Sequence, residues 1–253
     1  MAELPLAGLR ILVTRPRDQA LQLAEAIERE GGIPVLFPLL EISQVADGSA
    51  LREQVMRLAA YDLAIFISPN AVAFGMKAIR EAGALPARIA AVGMGSANAL
   101  RELGVTDVIV PELRFDSEGL LACEQLQNVN GWRVMIFRGD GGRELLGDTL
   151  RSRGALVEYA TCYLRSKPHL DADRLPEADV VTVTSSEALT HLHDVAQQRM
   201  FSAPLFVPHP RIAALAKTQG WRDIHIGSAG DEGLLTSLKE WAKDFEPSLK
   251  GNG

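Results

Sequence analysis

The chain carries the same sequence pattern twice, and this repeat limits the folds that are open to it. Residues 9–42 and residues 132–165 each contain an apolar segment ending in arginine, a polar turn, an amphipathic segment, a glycine and a second apolar segment. Arg15 and Arg138 occupy the same position in the two copies. A duplicated α/β unit has two similar loop-bearing edges, and a cleft between such edges is a natural place for a ligand.

Apolar and amphipathic segments alternate along the whole chain. Apolar runs such as 63–67 are continuous, which is typical of parallel strands covered by helices on both faces. Strands are predicted at 9–14, 33–38, 62–67, 88–92, 107–110, 133–137, 155–163, 179–184, 204–207 and 223–226. Helices are predicted at 17–30, 50–58, 70–82, 96–103, 117–127, 142–153, 186–194, 210–218 and 231–243. The pattern therefore predicts a repeated doubly wound α/β fold.

Composition narrows the class of protein. A chain of 253 residues that is 47% apolar and 23% charged is long enough for two hydrophobic cores. The sequence has neither an apolar run of the roughly 20 residues that a membrane span needs nor a secretory signal. A net charge of −6 without a basic block argues against nucleic acid as a partner. Cys123 and Cys162 lie in apolar patterns, so we interpret them as reduced packing residues of a cytoplasmic protein.

The repeat leaves two domain layouts open. A cut at 128–131 gives two tandem copies. Alternatively, the chain crosses between domains twice, at 38–45 and at 163–170, and the two crossings lie side by side as extended strands. The second layout has a discontinuous first domain, a continuous second domain and two hinge linkers, namely 1–38 plus 168–253, 44–163, and 39–43 with 164–167.

Several short motifs resemble one known family. They are Val13-Thr14-Arg15-Pro16, Phe66-Ile67-Ser68-Pro69-Asn70-Ala71-Val72, Ala91-Val92-Gly93, Phe115-Asp116-Ser117-Glu118-Gly119-Leu120-Leu121, Arg138-Gly139 and Tyr163. In this order and spacing the chain resembles the uroporphyrinogen-III synthase family. The resemblance implies two flavodoxin-like domains in the swapped layout, joined by a two-stranded linker.

The resemblance also implies a reaction and a substrate. Hydroxymethylbilane, a linear tetrapyrrole with eight carboxylates, loses its terminal hydroxyl, its last ring is inverted, and the macrocycle closes with loss of water. No metal or organic cofactor takes part. We expect a monomer with no nucleic-acid or membrane partner.

Strand-to-helix turns are the predicted binding groups for such a polyanion. Backbone N–H groups at helix N-termini accept anions without a positive net charge. The candidate residues at these turns are Arg15, Ser68, Pro69, Asn70, Gly93, Gly95, Ser96, Arg138, Gly139, Ser185 and Ser186. For any single serine the alternative is plain helix capping. Arg15 and Arg138 have two open roles, a substrate carboxylate or a carbonyl at their own sheet edge.

One turn departs from the family pattern. It reads Pro208-His209-Pro210-Arg211, where the family commonly has a hydroxyl residue. Two prolines remove two N–H donors. We therefore expect His209 or Arg211 to take over the anion contact at this turn.

The reaction asks mainly for positioning, with one candidate for general acid. The resemblance implies that Tyr163, at the crossing between domains, faces the cleft and protonates the departing hydroxyl. A packed strand tyrosine is the alternative, and Tyr61 and Tyr159 are interpreted as structural.

Other functions have weaker signals in the sequence. Gly93-x-Gly95 lacks the third glycine of a dinucleotide fingerprint. A non-catalytic two-domain protein that binds small anions remains the alternative function.

Overall fold

The structure is a computed structural model that describes residues 4–83, 88–170, 175–196, 199–228 and 230–244. The chain divides into two compact units. The first unit is discontinuous and comprises Met1–Glu41 with Ser166–Gly253, and the second comprises Ile42–Arg165.

The first unit is built on a parallel sheet. Its strands are β1 (Arg10–Val13), β2 (Ile33–Leu36), β8 (Val180–Thr182), β9 (Leu205–Val207) and β10 (Ile224–Ile226). Its helices are α1 (Arg17–Arg29), α7 (Ser186–Ala196), α8 (Pro210–Thr218) and α9 (Asp231–Ala242). The strands lie side by side in the order β10-β9-β8-β1-β2, and every neighbouring pair is parallel.

The second unit repeats this plan with a different chain connection. Its strands are β3 (Glu41–Gln44), β4 (Leu63–Phe66), β5 (Ile89–Ala91), β6 (Arg133–Gly139) and β7 (Leu156–Ser166). Its helices are α2 (Ser49–Met56), α3 (Pro69–Ala82), α4 (Met94–Glu102), α5 (Ser117–Ala122) and α6 (Leu145–Ser152). The order is β3-β7-β6-β4-β5, and β7, β6, β4 and β5 pair in parallel.

Helices cover both faces of each sheet because the central strands are apolar on both sides. Ile11, Leu12 and Val13 are successive residues of β1, and all three are fully buried. Ile11 and Val13 pack in one hydrophobic cluster with residues of α1 and α9, whereas Leu12 packs in another with residues of α7 and α8. In the second unit, α2, α3 and α4 contribute to one cluster, and α5 and α6 contribute to the other. The prediction of an α/β fold with parallel sheets is confirmed.

Some predicted helix ends are confirmed, whereas one predicted strand and the length of one predicted helix are wrong. Left-handed glycines follow five of the predicted helices, at Gly31, Gly83, Gly104, Gly154 and Gly220. The predicted strand at 107–110 is wrong, since only a single bridge joins Ile109 to Ala90. The predicted helix at 117–127 is also wrong in its length, because α5 ends at Ala122 and a separate 3-10 turn occupies Glu124–Leu126.

In the part of the chain that the structure describes, no helix combines the length and the apolar character needed to cross a membrane.

Candidate functional site

Each sheet has a switch point, where the chain order of the strands reverses. In the first unit it lies between β1 and β8, and in the second between β6 and β4. Open α/β sheets bind ligands outside the carboxyl ends of the strands at such a point. We call this side of each sheet its carboxyl edge. The sequence candidates Arg15, Ser68 and Arg138 all lie at these two switch points.

At the carboxyl edge of the first unit, Arg15 follows β1 and is largely buried. Its Nη1 donates to Asp231, an acid in the first turn of α9, and its Nη2 donates to Gln19 over 3.1 Å. Burial lowers the pKa of the Arg15 guanidinium, while Asp231 lies against it as a counter-ion. The neighbouring Thr14 hydroxyl donates to the Thr182 carbonyl over 2.7 Å. Arg15 is therefore held by its own unit, through a carboxylate and an amide.

Two other candidates of the first unit cap helices. The Ser185 hydroxyl accepts the Ala188 N–H over 3.1 Å at the start of α7, and Ser186 is the first residue of that helix. His209 caps α8, because its Nδ1 accepts the Arg211 N–H over 3.1 Å. The capping alternative is thus observed for Ser185, and His209 assumes the capping role at the proline-flanked turn.

At the carboxyl edge of the second unit, Ser68 caps α3. Its side chain accepts the Ala71 N–H over 3.1 Å, Pro69 is the first helical residue, and Asn70 lies in the first turn. Ser68 has extended backbone angles, φ −157° and ψ 161°, which suit an N-cap residue. Proline at the first position loses no hydrogen bond, since that N–H has no partner within the helix. The local sequence therefore explains why the serine hydroxyl sits at the switch point.

Tyr163 lies beside Ser68. The two side-chain oxygens are 3.1 Å apart, within hydrogen-bond distance. Tyr163 is only 4% exposed, and its burial raises the pKa of the phenol, so the hydroxyl keeps its proton at neutral pH. The Gly139 backbone lies directly against the ring, since a Cβ at Gly139 would be 2.7 Å from Cε2 of Tyr163. The structure thus brings Ser68, Gly139 and Tyr163 together.

Arg138 is directed elsewhere. Its side chain is 6% exposed, Nη1 donates to Glu144 over 2.9 Å, and Nε donates to the Gly141 carbonyl over 3.2 Å. The guanidinium carbon lies 4.6 Å from the centre of the Tyr159 ring. The bond to the Gly141 carbonyl is the sheet-edge contact that the sequence left open beside a role in substrate binding. Arg138 fastens the loop between β6 and α6.

The turn after β5 completes this edge. Gly93 is the N-cap residue of α4. Ser96 lies in the first turn of this helix and is 3% exposed. Gly95 approaches Pro69, whose Cγ would be 3.4 Å from an added Cβ. Gly93 faces Phe115, which is 38% exposed. This turn offers backbone N–H groups at a helix N-terminus, which suit an anionic group.

Sequence reasoning missed the partners of the candidate residues. Asp231, Glu144 and Phe74 were not singled out, although Asp231 lies in the segment that repeats the motif around Asp116. Phe74 stacks on Tyr163 with the ring centres 6.0 Å apart. Nothing in the sequence marks Phe74, because it is one of several apolar residues in the periodic pattern of α3.

The surroundings of the two cysteines make their thiols poor nucleophiles. Burial raises the pKa of the Cys162 thiol to about 12, and it also raises the pKa of Cys123. Thiols in such surroundings are weak nucleophiles. Among the described residues, no group of three or more His, Cys, Asp or Glu side chains is placed to hold a metal ion.

The fold defines an α/β protein with parallel sheets, each of which has a switch point. A family model described as Uroporphyrinogen-III synthase HemD matches residues 22–236. The uroporphyrinogen-III synthase of Escherichia coli is 34% identical over 246 residues, covering 91% of this chain and 100% of the relative. That of Salmonella typhimurium is 35% identical with the same coverage.

Solved structures agree on the fold. A mutant uroporphyrinogen III synthase from Thermus thermophilus superposes with a TM-score of 0.66 at 20% identity, covering 94% of this chain and 100% of that chain. The uroporphyrinogen-III synthetase of Helicobacter pylori gives a TM-score of 0.58 at 14% identity, covering 94% and 99%. The chain belongs to the uroporphyrinogen-III synthase family, and the prediction of an enzyme of this family is confirmed.

Proposed function

We propose that this chain is a lyase of the cytoplasm that cyclises hydroxymethylbilane, with inversion of the terminal pyrrole ring and loss of water. The observation that carries the proposal is the Tyr163 hydroxyl, held 3.1 Å from Ser68 at the switch point of the second unit, in a chain of this family. A protonated phenol at this place suits a reaction in which a hydroxyl group has to leave.

Substrate binding is assigned to the two carboxyl edges. The carboxylates of the tetrapyrrole bind to N–H groups and hydroxyls at the turns that start α3, α4, α7 and α8. The binding residues proposed there are Ser68, Pro69, Asn70, Gly93, Gly95, Ser96, Gly139, Ser185, Ser186, His209 and Arg211. Arg15 and Arg138 add positive potential behind these turns while their guanidinium groups stay paired with Asp231 and Glu144.

Tyr163 is the proposed general acid. As the C–O bond of the hydroxymethyl group breaks, the phenol proton moves to the departing oxygen, which leaves as water. The electron-rich pyrrole supplies the electrons for this step. The ring carbon that closes the macrocycle loses a proton, which restores the phenol. The step is balanced without an oxidant, a metal ion or a cofactor.

The domain layout is also part of the proposal. We assign residues 1–38 plus 168–253 and residues 44–163 to two flavodoxin-like domains, with 39–43 and 164–167 as hinge linkers. The adjacency of β3 and β7 in one sheet supports this layout. Crystals grown in different conditions should then show different angles between the domains. Light scattering should give a monomer mass near 27.4 kDa.

The deciding experiment supplies the purified protein with freshly generated hydroxymethylbilane and separates the porphyrin isomers after oxidation. The proposed function requires the type III isomer, whereas the spontaneous reaction gives type I. Prior dialysis against a chelator should leave the type III yield unchanged. Binding of the tetrapyrrole with only type I product would identify the chain as a non-catalytic anion-binding protein instead.

A further inference from the structure

A β-bulge determines which face of its sheet Tyr163 occupies. Strand β7 pairs regularly with β6 up to Thr161, opposite Arg138, but the next paired residue is Tyr163, opposite Gly139. Cys162 is therefore an extra residue without a partner on β6. Side chains alternate between the faces of a strand. Tyr159 accordingly packs against the cluster of α5 and α6, whereas Tyr163 packs in the cluster of α2, α3 and α4.

The ring of Tyr163 is fixed once it reaches that face. Gly139 supports one side of the ring, since any side chain there would overlap it, and Phe74 stacks on it. The residue is 4% exposed, so the ring has little room to reorient. The remaining freedom is the direction of the phenol hydrogen, and the Ser68 hydroxyl lies 3.1 Å from the phenol oxygen.

Ser68 is already a hydrogen-bond acceptor. Its Oγ accepts the Ala71 N–H over 3.1 Å as the cap of α3. A serine hydroxyl has one hydrogen to donate, and a phenol oxygen accepts it. When Ser68 donates its hydrogen to Tyr163 across 3.1 Å, the phenol oxygen is occupied as an acceptor. Its own hydrogen is then free for another partner.

We infer that Ser68 is a positioning residue that directs the Tyr163 proton toward the substrate, so that the two hydroxyls act as one unit. This inference rests on the proposed function, in which Tyr163 is the proton donor. It changes the role of Ser68, for which the sequence indicated an anion contact or plain helix capping. Removal of the Ser68 hydroxyl should therefore lower kcat rather than only raise KM.

Three substitutions separate this role from helix capping. Ser68→Ala removes both the cap and the hydroxyl, and Ser68→Thr keeps both. Ser68→Asp keeps the cap, because aspartate is a good N-cap residue, but its carboxylate only accepts hydrogen bonds. In Ser68→Asp the phenol hydrogen turns to the carboxylate and is lost to the substrate.

We expect kcat to fall about fivefold to thirtyfold in Ser68→Ala, less than the roughly 10²–10⁴-fold of a general acid itself, because Ser68 acts only through Tyr163. Ser68→Thr should restore kcat. Ser68→Asp should restore the melting temperature but not kcat. The double variant Ser68→Ala/Tyr163→Phe should be no slower than Tyr163→Phe alone, because coupled residues are not additive. An unchanged kcat in Ser68→Ala, or recovery of kcat in Ser68→Asp, would overturn the inference.

A spectroscopic measurement tests the coupling without substrate. The chain has three tyrosines, so protein labelled with ¹³Cζ-tyrosine gives three signals, and Tyr163→Phe identifies the one from Tyr163. Ser68→Ala should shift that signal, and Ser68→Thr should return it. A signal that stays in place refutes the coupling even if the wild-type protein makes no type III isomer. Failure to make that isomer, by itself, refutes only the proposed function.

Discussion

The two units of this chain share an aspartate contact between strands at one edge of their sheets and differ at the other edge. At the amino edge, Asp179 accepts the Arg10 N–H over 2.9 Å, and its own N–H donates to the Arg10 carbonyl over 2.8 Å. Asp62 does the same with Arg133 in the second unit, over 2.8 and 2.9 Å. The same pair of bonds therefore joins neighbouring strands in both copies.

At the carboxyl edge the copies diverge. Leu40, buried at 6% exposure, stands in the first copy where Tyr163 stands in the second, and Pro16 stands where Gly139 lies. The first unit thus has a serine cap, Ser185, without a tyrosine beside it. The duplicated scaffold is therefore retained where it only holds strands together. The hydroxyl pair is confined to one unit.

The largest effect should come from Tyr163. Tyr163→Phe keeps the ring and removes the proton donor, so we expect turnover to fall roughly tenfold to a hundredfold. This is at or below the low end of the roughly 10²–10⁴-fold effect of a general acid, because the leaving group departs readily. Tyr61→Phe is the matched control, since Tyr61 lies outside both carboxyl edges. Steady-state assays of type III formation measure both. Equal turnover in the two variants would remove the functional asymmetry between the units.

The amino edges should respond alike. Asp62→Ala and Asp179→Ala each leave a strand N–H without its carboxylate, and each should lower the free energy of unfolding by about 1–3 kcal/mol. Asp62→Asn and Asp179→Asn keep an acceptor oxygen and should lose less. Urea denaturation followed by fluorescence provides the measurement. A loss confined to one unit would show that the two strand contacts are not equivalent.

Ser185 tests the other half of the comparison. Ser185→Ala removes one cap and one proposed substrate contact in the unit without a tyrosine. We expect substrate binding to weaken by about 0.5–1.5 kcal/mol, the value of one hydrogen bond. KM should then rise roughly twofold to twelvefold, with kcat unchanged. Initial rates over a range of substrate concentration separate the two constants. A fall in kcat as large as that of Ser68→Ala would mean that both serines serve the same purpose.

The smallest expected effect is that of alkaline pH on kcat. Burial raises the pKa of Tyr163 above the ordinary value for tyrosine, about 10. The phenol is protonated below its pKa, so the acid form is lost only as pH rises through that raised value. We expect kcat to stay level on the alkaline side up to about pH 9. A decline at lower pH that is present in the wild type and absent in Tyr163→Phe would contradict this assignment.

Most strands and helices of the scaffold can be predicted from local sequence. The positions of the side chains at the candidate site cannot. Continuous apolar runs predict the buried strands, and Ser68 before Pro69 predicts a helix start. Strict alternation along β7, however, places Tyr163 on the same face as Tyr159, which is the wrong face. The extra residue that corrects this depends on pairing with β6, which lies outside the local sequence. Glu144, the partner of Arg138, is likewise chosen by the path of a loop.

The bulge at Cys162 also sets limits on which lengths of this strand evolution can accept. A surface loop gains or loses a residue at little cost, since nothing downstream has to turn over. Deleting Cys162 would only remove the bulge, since Tyr163 would then follow Thr161 directly and stay opposite Gly139 on the same face. Inserting one further residue before Tyr163 would instead move the tyrosine past Gly139 and turn it to the opposite face. An insertion at this point should therefore be rarer than insertions in the neighbouring loops, and where one occurs the tyrosine should be missing as well.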